Sequence, residues 1–554
     1  MVIFMDETYF KNRIPVIRRF DLPIFVNQLG YKPASIKRAV ITKECSRFYI
    51  IDNDDKICFE GNVTHFGTDK DSQDDVYIAD FSDFNETGQY QLKTEGGEKS
   101  LIFNISENIY DNVLFETMKA FYYLRCGEEL KEAYAGEFIH AACHTDKAVL
   151  HEDKNISLDI TGGWHDAGDY GRYVTAGACA LAHLLYAYKM YPDKLASLKL
   201  NIPESSSSIP DILEECSHEL EWILKMQRAD GGVYHKATTY IHAQFVMPED
   251  DKDTMIVFPV SSMATADLAA ICAMASTIYK DFDADFSQIL LNAATKSAKW
   301  LDENPDFVGF ANPDGCNTGE YGEDDDKENR FWAYAELYAA TKDEYYHEKL
   351  KASMKICDSF VGLGYADVGG LGALSYLLCN NENCLDEIKN KFKESFINEA
   401  LRLKNLADNC GYGVAMSTEH YTWGSNMNLL KHGMIFAIAD YLENDTRFLP
   451  YATLQADYLL GVNATGFSYV TGSGEFCCEQ PHLRPAYADG IERCIPGMVS
   501  GGPNRTPQDI DASILIKEGT PPMKCFVDDV GCYSLNEITI YWNSPAVFLL
   551  AYLK

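Results

Sequence analysis

The sequence predicts two domains of unequal size, a small all-β sandwich over residues 20–106 and a long all-α domain over 107–554. Three observations carry that expectation. Short alternating apolar runs, broken by turn residues, extend from about Leu22 to Ile105. From Tyr110 onward the apolar period lengthens to that of a helix. A chain of 554 residues also exceeds what one core ordinarily covers.

Within the first domain, Ala39-Val-Ile-Thr, Phe48-Tyr-Ile-Ile, Ile57-Cys-Phe and Val76-Tyr-Ile-Ala read as strands. Asn53-Asp-Asp and Gly96-Gly97 fall between runs, where hairpin turns need residues tolerant of positive φ. In the second domain, Leu213, Cys216, Leu220, Ile223 and Leu224 share one helical face. Comparable stretches up to Tyr552 amount to about a dozen helices, joined by loops rich in Gly, Asp, Asn and Pro. No βαβ alternation competes, so the chemistry belongs in the loops.

Composition narrows the function. The chain holds 83 acidic and 48 basic residues, a net charge of -35, with 46% hydrophobic residues. That apolar content excludes intrinsic disorder. The acid excess opposes binding to nucleic acid or to anionic membrane surfaces and points to a neutral or cationic ligand, with no obligate protein partner in evidence. No window of 18 or more apolar residues stands out, and Met1-Val-Ile-Phe-Met-Asp-Glu-Thr turns acidic before a signal-peptide core can form. The 17 cysteines, among them Cys179, Cys216, Cys272 and Cys357, fall mostly inside apolar helical stretches, which is no disulfide framework. A cytoplasmic protein is expected.

Two loops concentrate carboxylates. Thr161-Gly-Gly-Trp-His-Asp-Ala-Gly-Asp-Tyr-Gly-Arg-Tyr-Val174 sets Asp166 and Asp169 three residues apart among glycines. Such a pair can hold one water and orient it for attack, and an aspartate there also reads as the cap of a helix beginning near Tyr170. The run from Phe526 to Ser544 carries Asp528, Asp529 and Glu537 just before an apolar helix. Desolvation beside Leu535 and Ile538 would keep Glu537 protonated for donation; alternatively Ser534 and Glu537 form a capping box. Near the first loop, Cys126, Cys143, His144 and His165 supply two thiolates and two imidazoles, a donor set for a closed zinc site, against the alternative of free thiols in a reducing core.

The two carboxylate loops resemble the signatures of glycoside hydrolase family 9, the inverting cellulases, in the branch with an N-terminal immunoglobulin-like domain. Phe526, Asp528, Tyr533, Glu537, Thr539, Asn543 and Ser544 match its C-terminal signature, and Gly162-Gly-Trp-His-Asp-Ala-Gly-Asp169 its base motif. The likeness spans nearly the whole chain, through Val26-Asn-Gln-Leu-Gly-Tyr31, Pro259-Val-Ser-Ser-Met-Ala-Thr265 and Trp423-Gly-Ser-Asn426. It implies an immunoglobulin-like sandwich followed by an (α/α)6 barrel. It implies Asp169 as catalytic base, Asp166 as its partner on the water, Glu537 as general acid and Asp528 as a further active-site carboxylate. Leu460-Gly-Val-Asn463, Ser468–Gly474 and Pro481-His-Leu-Arg-Pro485 resemble the family's third motif, which makes His482 and Arg484 substrate-binding residues. Phe476 and Leu483 depart from that motif, where the family favours a polar or basic residue and a second His.

Relatives with the immunoglobulin-like domain carry a structural zinc on residues matching Cys126, Cys143, His144 and His165. The loop bearing Thr318, Glu323, Asp324 and Asp326, and the turn with Asp211, Glu214 and Glu215, resemble the family's calcium-loop regions, though each also reads as a solvated acidic stretch. Tyr533, Trp332 and Trp423 are candidate stacking surfaces for sugar rings. The expected activity is inverting hydrolysis of β-1,4-glucosidic bonds in soluble glucans or cellodextrins, by an endoglucanase or cellodextrinase that needs no cofactor for the chemistry itself. An exo-acting β-glucosaminidase or β-glucosidase is the alternative within the family, separable by comparing cellotriose with glucosamine oligomers. A non-catalytic carbohydrate-binding protein on the same scaffold is the alternative outside it, and a reducing-sugar assay decides that.

Overall fold

The alternating runs form eight strands in this computed structural model, which describes residues 22–554: β1 Ile24–Phe25, β2 Gly30–Tyr31, β3 Arg38–Ile41, β4 Arg47–Ile51, β5 Ile57–Thr68, β6 Asp75–Asp80, β7 Gly88–Thr94 and β8 Phe103–Ile105. The Met1–Thr8 leader reading, and residues 20 and 21 of the first domain, lie outside the described residues. The order is β1-β3-β6-β5-β4-β7-β8-β2. β5 makes the two faces continuous, its first half pairing with β4 and its second with β6 across a register shift at His65/Gly67. Only Ile57-Cys-Phe of β5 was legible, because no β5 side chain is fully buried and the half-buried positions carry Gly61 as well as apolar residues. The turns fall where expected, with φ of 60° at Asp55 and 94° at Gly97. Tyr31 packs edge-on against Phe81 and Phe103, centring a core separate from that of the helices.

Twelve helices of ten or more residues follow among the described residues: α1 Asp111–Tyr123, α2 Val174–Met190, α3 Asp211–Lys225, α4 Ser262–Tyr279, α5 Ala284–Glu303, α6 Lys327–Thr341, α7 Glu344–Ser353, α8 Gly369–Leu378, α9 Asp386–Asp408, α10 Ser425–Glu443, α11 Leu449–Leu459 and α12 Ile540–Leu553. Two kinds alternate. α2, α4, α8 and α12 are apolar and buried nearly all round, whereas α5 and α9 bury one stripe, such as Leu290, Ala294, Ser297 and Leu301. α2 packs on α12 and α4, α4 on α6, α6 on α8, and α10 on α12. One expectation is corrected here: α4 is, by length and composition, apolar enough to cross a membrane. It serves as a core helix, with 89% of it buried inside the protein.

The β domain is hooked onto the helical one by buried amides. Asn27 Nδ2 donates to Asp457 Oδ1 at 2.8 Å, and Gln28 Nε2 to the carbonyls of Gly466 and Phe476 at 2.9 and 3.1 Å. Phe476 N returns a bond to Gln28 Oε1 at 2.7 Å. Burial pushes the Asp457 carboxyl up to about 8, against the opposing pull of the Asn27 amide.

Candidate active site

Glycine places the base loop. Gly162 and Gly163, at φ 110° and 78°, turn the chain beneath Trp222, and Trp164 is then buried with its indole N–H on Glu215 Oε1 at 2.9 Å. A Cβ on Gly168 would lie 1.9 Å from the His482 carbonyl oxygen, so only glycine allows the two loops to touch. Asp166 O accepts from Ile540 N at 2.8 Å, Gly168 O accepts from Arg484 N at 3.1 Å, and a parallel bridge aligns His482 with Glu537. Three segments distant in sequence thereby share one cleft.

The capping alternatives fail. α2 begins at Val174 and α12 at Ile540, both without a side-chain cap, and Ser534 hydrogen bonds Asp509 instead. Asp166, Asp169 and Glu537 therefore cap neither helix.

Their protonation differs for identifiable reasons. Asp166 is 1% exposed; its Oδ2 accepts from the Tyr321 hydroxyl at 2.6 Å, while its Oδ1 is buried and makes no hydrogen bond. Burial raises its carboxyl well above the usual range, Tyr321 opposing and Asp169 adding to the rise. Asp169 is also desolvated, yet His242, with Nδ1 3.0 Å from Asp169 Oδ2, and the Arg484 charge outweigh burial and hold it well below the ordinary value. Glu537 is half-buried, and burial, then the charges of Asp169 and Asp166, push it well up; Arg484 and a hydrogen bond from Trp423 only partly oppose this. Asp169 is held ionised while Glu537, like Asp166, keeps its proton, and the contrast between Asp169 and Glu537 is the division a general base and a general acid require.

Around them, His482 donates Nδ1–H to Val530 O at 2.6 Å, and burial with the Arg484 charge lowers it to about 3. A neutral ring whose Nδ1 carries the proton leaves Nε2 as an acceptor. Arg484 is fixed by Ala243 O at 2.8 Å and Gly168 O at 2.6 Å. Trp423, 41% exposed, lies 5.3 Å from the Tyr533 ring, and Tyr533 5.7 Å from His482, giving an aromatic wall.

One expectation is corrected, and the surroundings of the others are defined. Trp332 is 0% exposed, its indole directed at Glu336 inside α6, and presents no face to a sugar. Asp528 accepts the backbone N–H groups of Glu479 and Gln480 and reaches Asn536 Nδ2 at 3.5 Å, so it braces the loop leading to His482. Protein groups occupy several of the calcium candidates. Asp211 takes Lys199, Leu200 N and Ser205; Glu215 takes Arg125; Glu214 takes Ser207; Asp326 takes Arg330. Thr318 receives the Lys236 ammonium, while Glu323 Oε1 is buried and makes no hydrogen bond. Phe476 and Leu483 are both buried, Phe476 stacked 4.3 Å from Phe467, so neither departure from the third motif alters the cleft wall.

Sequence reasoning missed His242 and Tyr321. His242 lies in a loop with no motif; Tyr321 sat inside the run read for its acidic oxygens. If His242 keeps Asp169 charged, His242→Ala raises the Asp169 carboxyl, and activity, which needs it ionised, falls away at higher pH. The acidic limb of the pH–rate profile is expected to move up by about one unit or more, and an unmoved limb overturns the role.

Beside the base loop, the ligand atoms of Cys126, Cys143, His144 and His165 lie within 4.8 Å of one another, the only such group of His, Cys, Asp and Glu found among the described residues. Cys126 Sγ to His144 Nδ1 is 3.8 Å and Cys143 Sγ to His165 Nε2 3.9 Å, near the roughly 3.6 Å edge of a tetrahedral S/N zinc site. Asp251 Oδ2 lies 3.2 Å from His144 Nε2, orienting Nδ1 inward.

Comparison with known proteins agrees with this geometry. The model of glycosyl hydrolase family 9 matches residues 110–550, and that of the cellulase N-terminal ig-like domain residues 21–99. A cellodextrinase of Butyrivibrio fibrisolvens is 45% identical over 545 residues, 95% of this chain and 99% of the relative. Endoglucanase D of Acetivibrio thermocellus is 35% identical over 96% of this chain and 83% of its own length. Among solved structures, a single mutant of a thermostable endoglucanase from Alicyclobacillus acidocaldarius superposes with a TM-score of 0.90 at 35% identity, covering 96% of this chain and 99% of that one. A Zn-binding triple mutant of a family 9 endoglucanase gives 0.89 at 32%, covering 94% and 99%.

Proposed function

The chain belongs to glycosyl hydrolase family 9, and on that premise we propose that it hydrolyses β-1,4-glucosidic bonds of soluble glucans and cellodextrins with inversion at the anomeric carbon. The observation that carries this is the split between a charged Asp169 and a protonated Glu537 in one cleft. Glu537 donates its proton to the departing glycosidic oxygen as the carbon–oxygen bond breaks. A water, held by Asp169 and the unpartnered Oδ1 of Asp166, attacks the anomeric carbon from the opposite face and gives its proton to Asp169. His482, Arg484, Tyr533 and Trp423 bind and orient the sugars. No covalent sugar intermediate forms, so proton NMR of fresh product should show the α-anomer before mutarotation. The β-anomer appearing first overturns inversion.

Residues 20–106 are taken as the immunoglobulin-like domain and 107–554 as an (α/α)6 barrel, supported by six all-round or broadly buried helices alternating with more exposed ones. The Cys2His2 group is assigned to structural zinc, which when bound braces the base loop through His165, next to Asp166. About one zinc per chain is expected by elemental analysis, and Cys143→Ser should lower Tm before it lowers activity. No zinc after metal-replete expression overturns the assignment. None of the seventeen cysteines is in a disulfide, which supports a reducing compartment, the cytoplasm.

A further inference from the structure

Lys236 is fully buried, and among the described residues no carboxylate lies within ion-pairing distance of it. Its three N–H bonds are met by three oxygens: Asn312 Oδ1 at 2.7 Å, Thr318 Oγ1 at 2.9 Å and the Gly319 carbonyl at 2.7 Å. The rings of Phe258, Phe310 and Tyr173 stand 4.6, 5.4 and 5.7 Å from the nitrogen. Burial lowers the ammonium to about 8, so it is still charged at neutral pH. A buried cation without a counter-ion is costly unless its surroundings are built to it.

All three oxygens belong to one irregular segment, while Lys236 sits on strand Lys236–Thr238, paired with Arg172–Tyr173 and Ile256–Val257. The segment also closes on itself, Asn312 donating to Thr318 O at 2.7 Å and to Glu320 Oε2 at 2.8 Å. It leads directly to Tyr321, held at φ 51° with its ring 4.6 Å from Tyr173 and its hydroxyl on Asp166.

We propose that Lys236 is a positioning residue for the water-holding carboxylate: its ammonium is a fixed internal cation around which residues 312–319 fold, and it thereby sets the Tyr321 hydroxyl on Asp166. The inference rests on Asp166 acting on the water.

The test uses the whole enzyme on a soluble cellodextrin, with folding checked by circular dichroism. Lys236→Ala should lower kcat about tenfold or more while KM stays within about threefold, because sugar contacts are untouched. Methylammonium, which can fill the vacated oxygen cage, should restore part of kcat, and tetramethylammonium at equal concentration should not. Combined with Tyr321→Phe, the two losses should be less than multiplicative, as for groups acting through one another. Absent rescue, or fully multiplicative losses, overturns the proposal. If Lys236→Ala does not fold, Thr318→Val, which removes one cage oxygen, decides: kcat must fall with KM held, and an unchanged kcat overturns it. Should Asp169→Asn keep its turnover, the catalytic reading itself is wrong. Should Asp169→Asn be inactive while Lys236→Ala behaves as wild type, only this inference falls.

Discussion

Glu537→Gln is expected to fold, to bind cellodextrins and to lose about 10² to 10⁴ in kcat, the range usual for a general acid. The amide fills the same space beside Trp423 and Tyr533 but has no proton to give the leaving oxygen. In barrier terms the loss is roughly 3 to 5 kcal/mol. Substrates with an activated aryl leaving group, which departs without protonation, should recover much of it. The pH profile adds a second reading. Burial and the neighbouring aspartates raise the Glu537 carboxyl, so the proton is retained at neutral pH and turnover is lost as pH rises through that raised value. In Glu537→Gln this alkaline limb should vanish. A loss below about tenfold on unactivated cellodextrins removes Glu537 from the role.

Asp169→Asn should be at least as damaging on natural substrate, about 10³-fold or more, and an aryl leaving group should recover nothing. The lesion lies in the attacking water, and a better leaving group does not replace a base. The substitution also leaves the His242 ring and the Arg484 guanidinium facing an uncharged amide where they faced a carboxylate. A modest change in Tm is therefore expected, measurable separately from kcat. If the aryl substrate rescued Asp169→Asn and failed to rescue Glu537→Gln, the acid and base assignments would have to be exchanged.

What the sequence revealed depended on whether a residue's partners lay nearby in the chain. The strands with one buried face, and α3 with its single stripe, advertise themselves by period; β5, exposed on both sides, shows only its first three residues. Asp166, Asp169 and Glu537 were legible because glycines and aromatics crowd around them locally. His242 was not, since its partner lies on another loop and nothing in Tyr240-Ile-His-Ala-Gln-Phe marks it. The bracing contacts of Asp528 were hidden for the same reason: the backbone N–H groups that reach it come from residues 479 and 480. Trp332 was taken for a sugar platform on residue type alone, although Phe331, Ala333 and Ala335 beside it already describe a helix buried all round.

The amide hooks of Asn27 and Gln28 also impose an order of events on synthesis. Their partners, Asp457, Gly466 and Phe476, lie 430 to 448 residues further along the chain. At ribosomal speeds the β domain emerges roughly 20 to 90 seconds before those partners exist. During that interval it must hold its shape on its own aromatic core, with the hooks solvated and idle. The interface then closes only when the segment leading into the His482 loop has been made, so the earliest domain supplies a finished template on which the last-made wall of the cleft is cast.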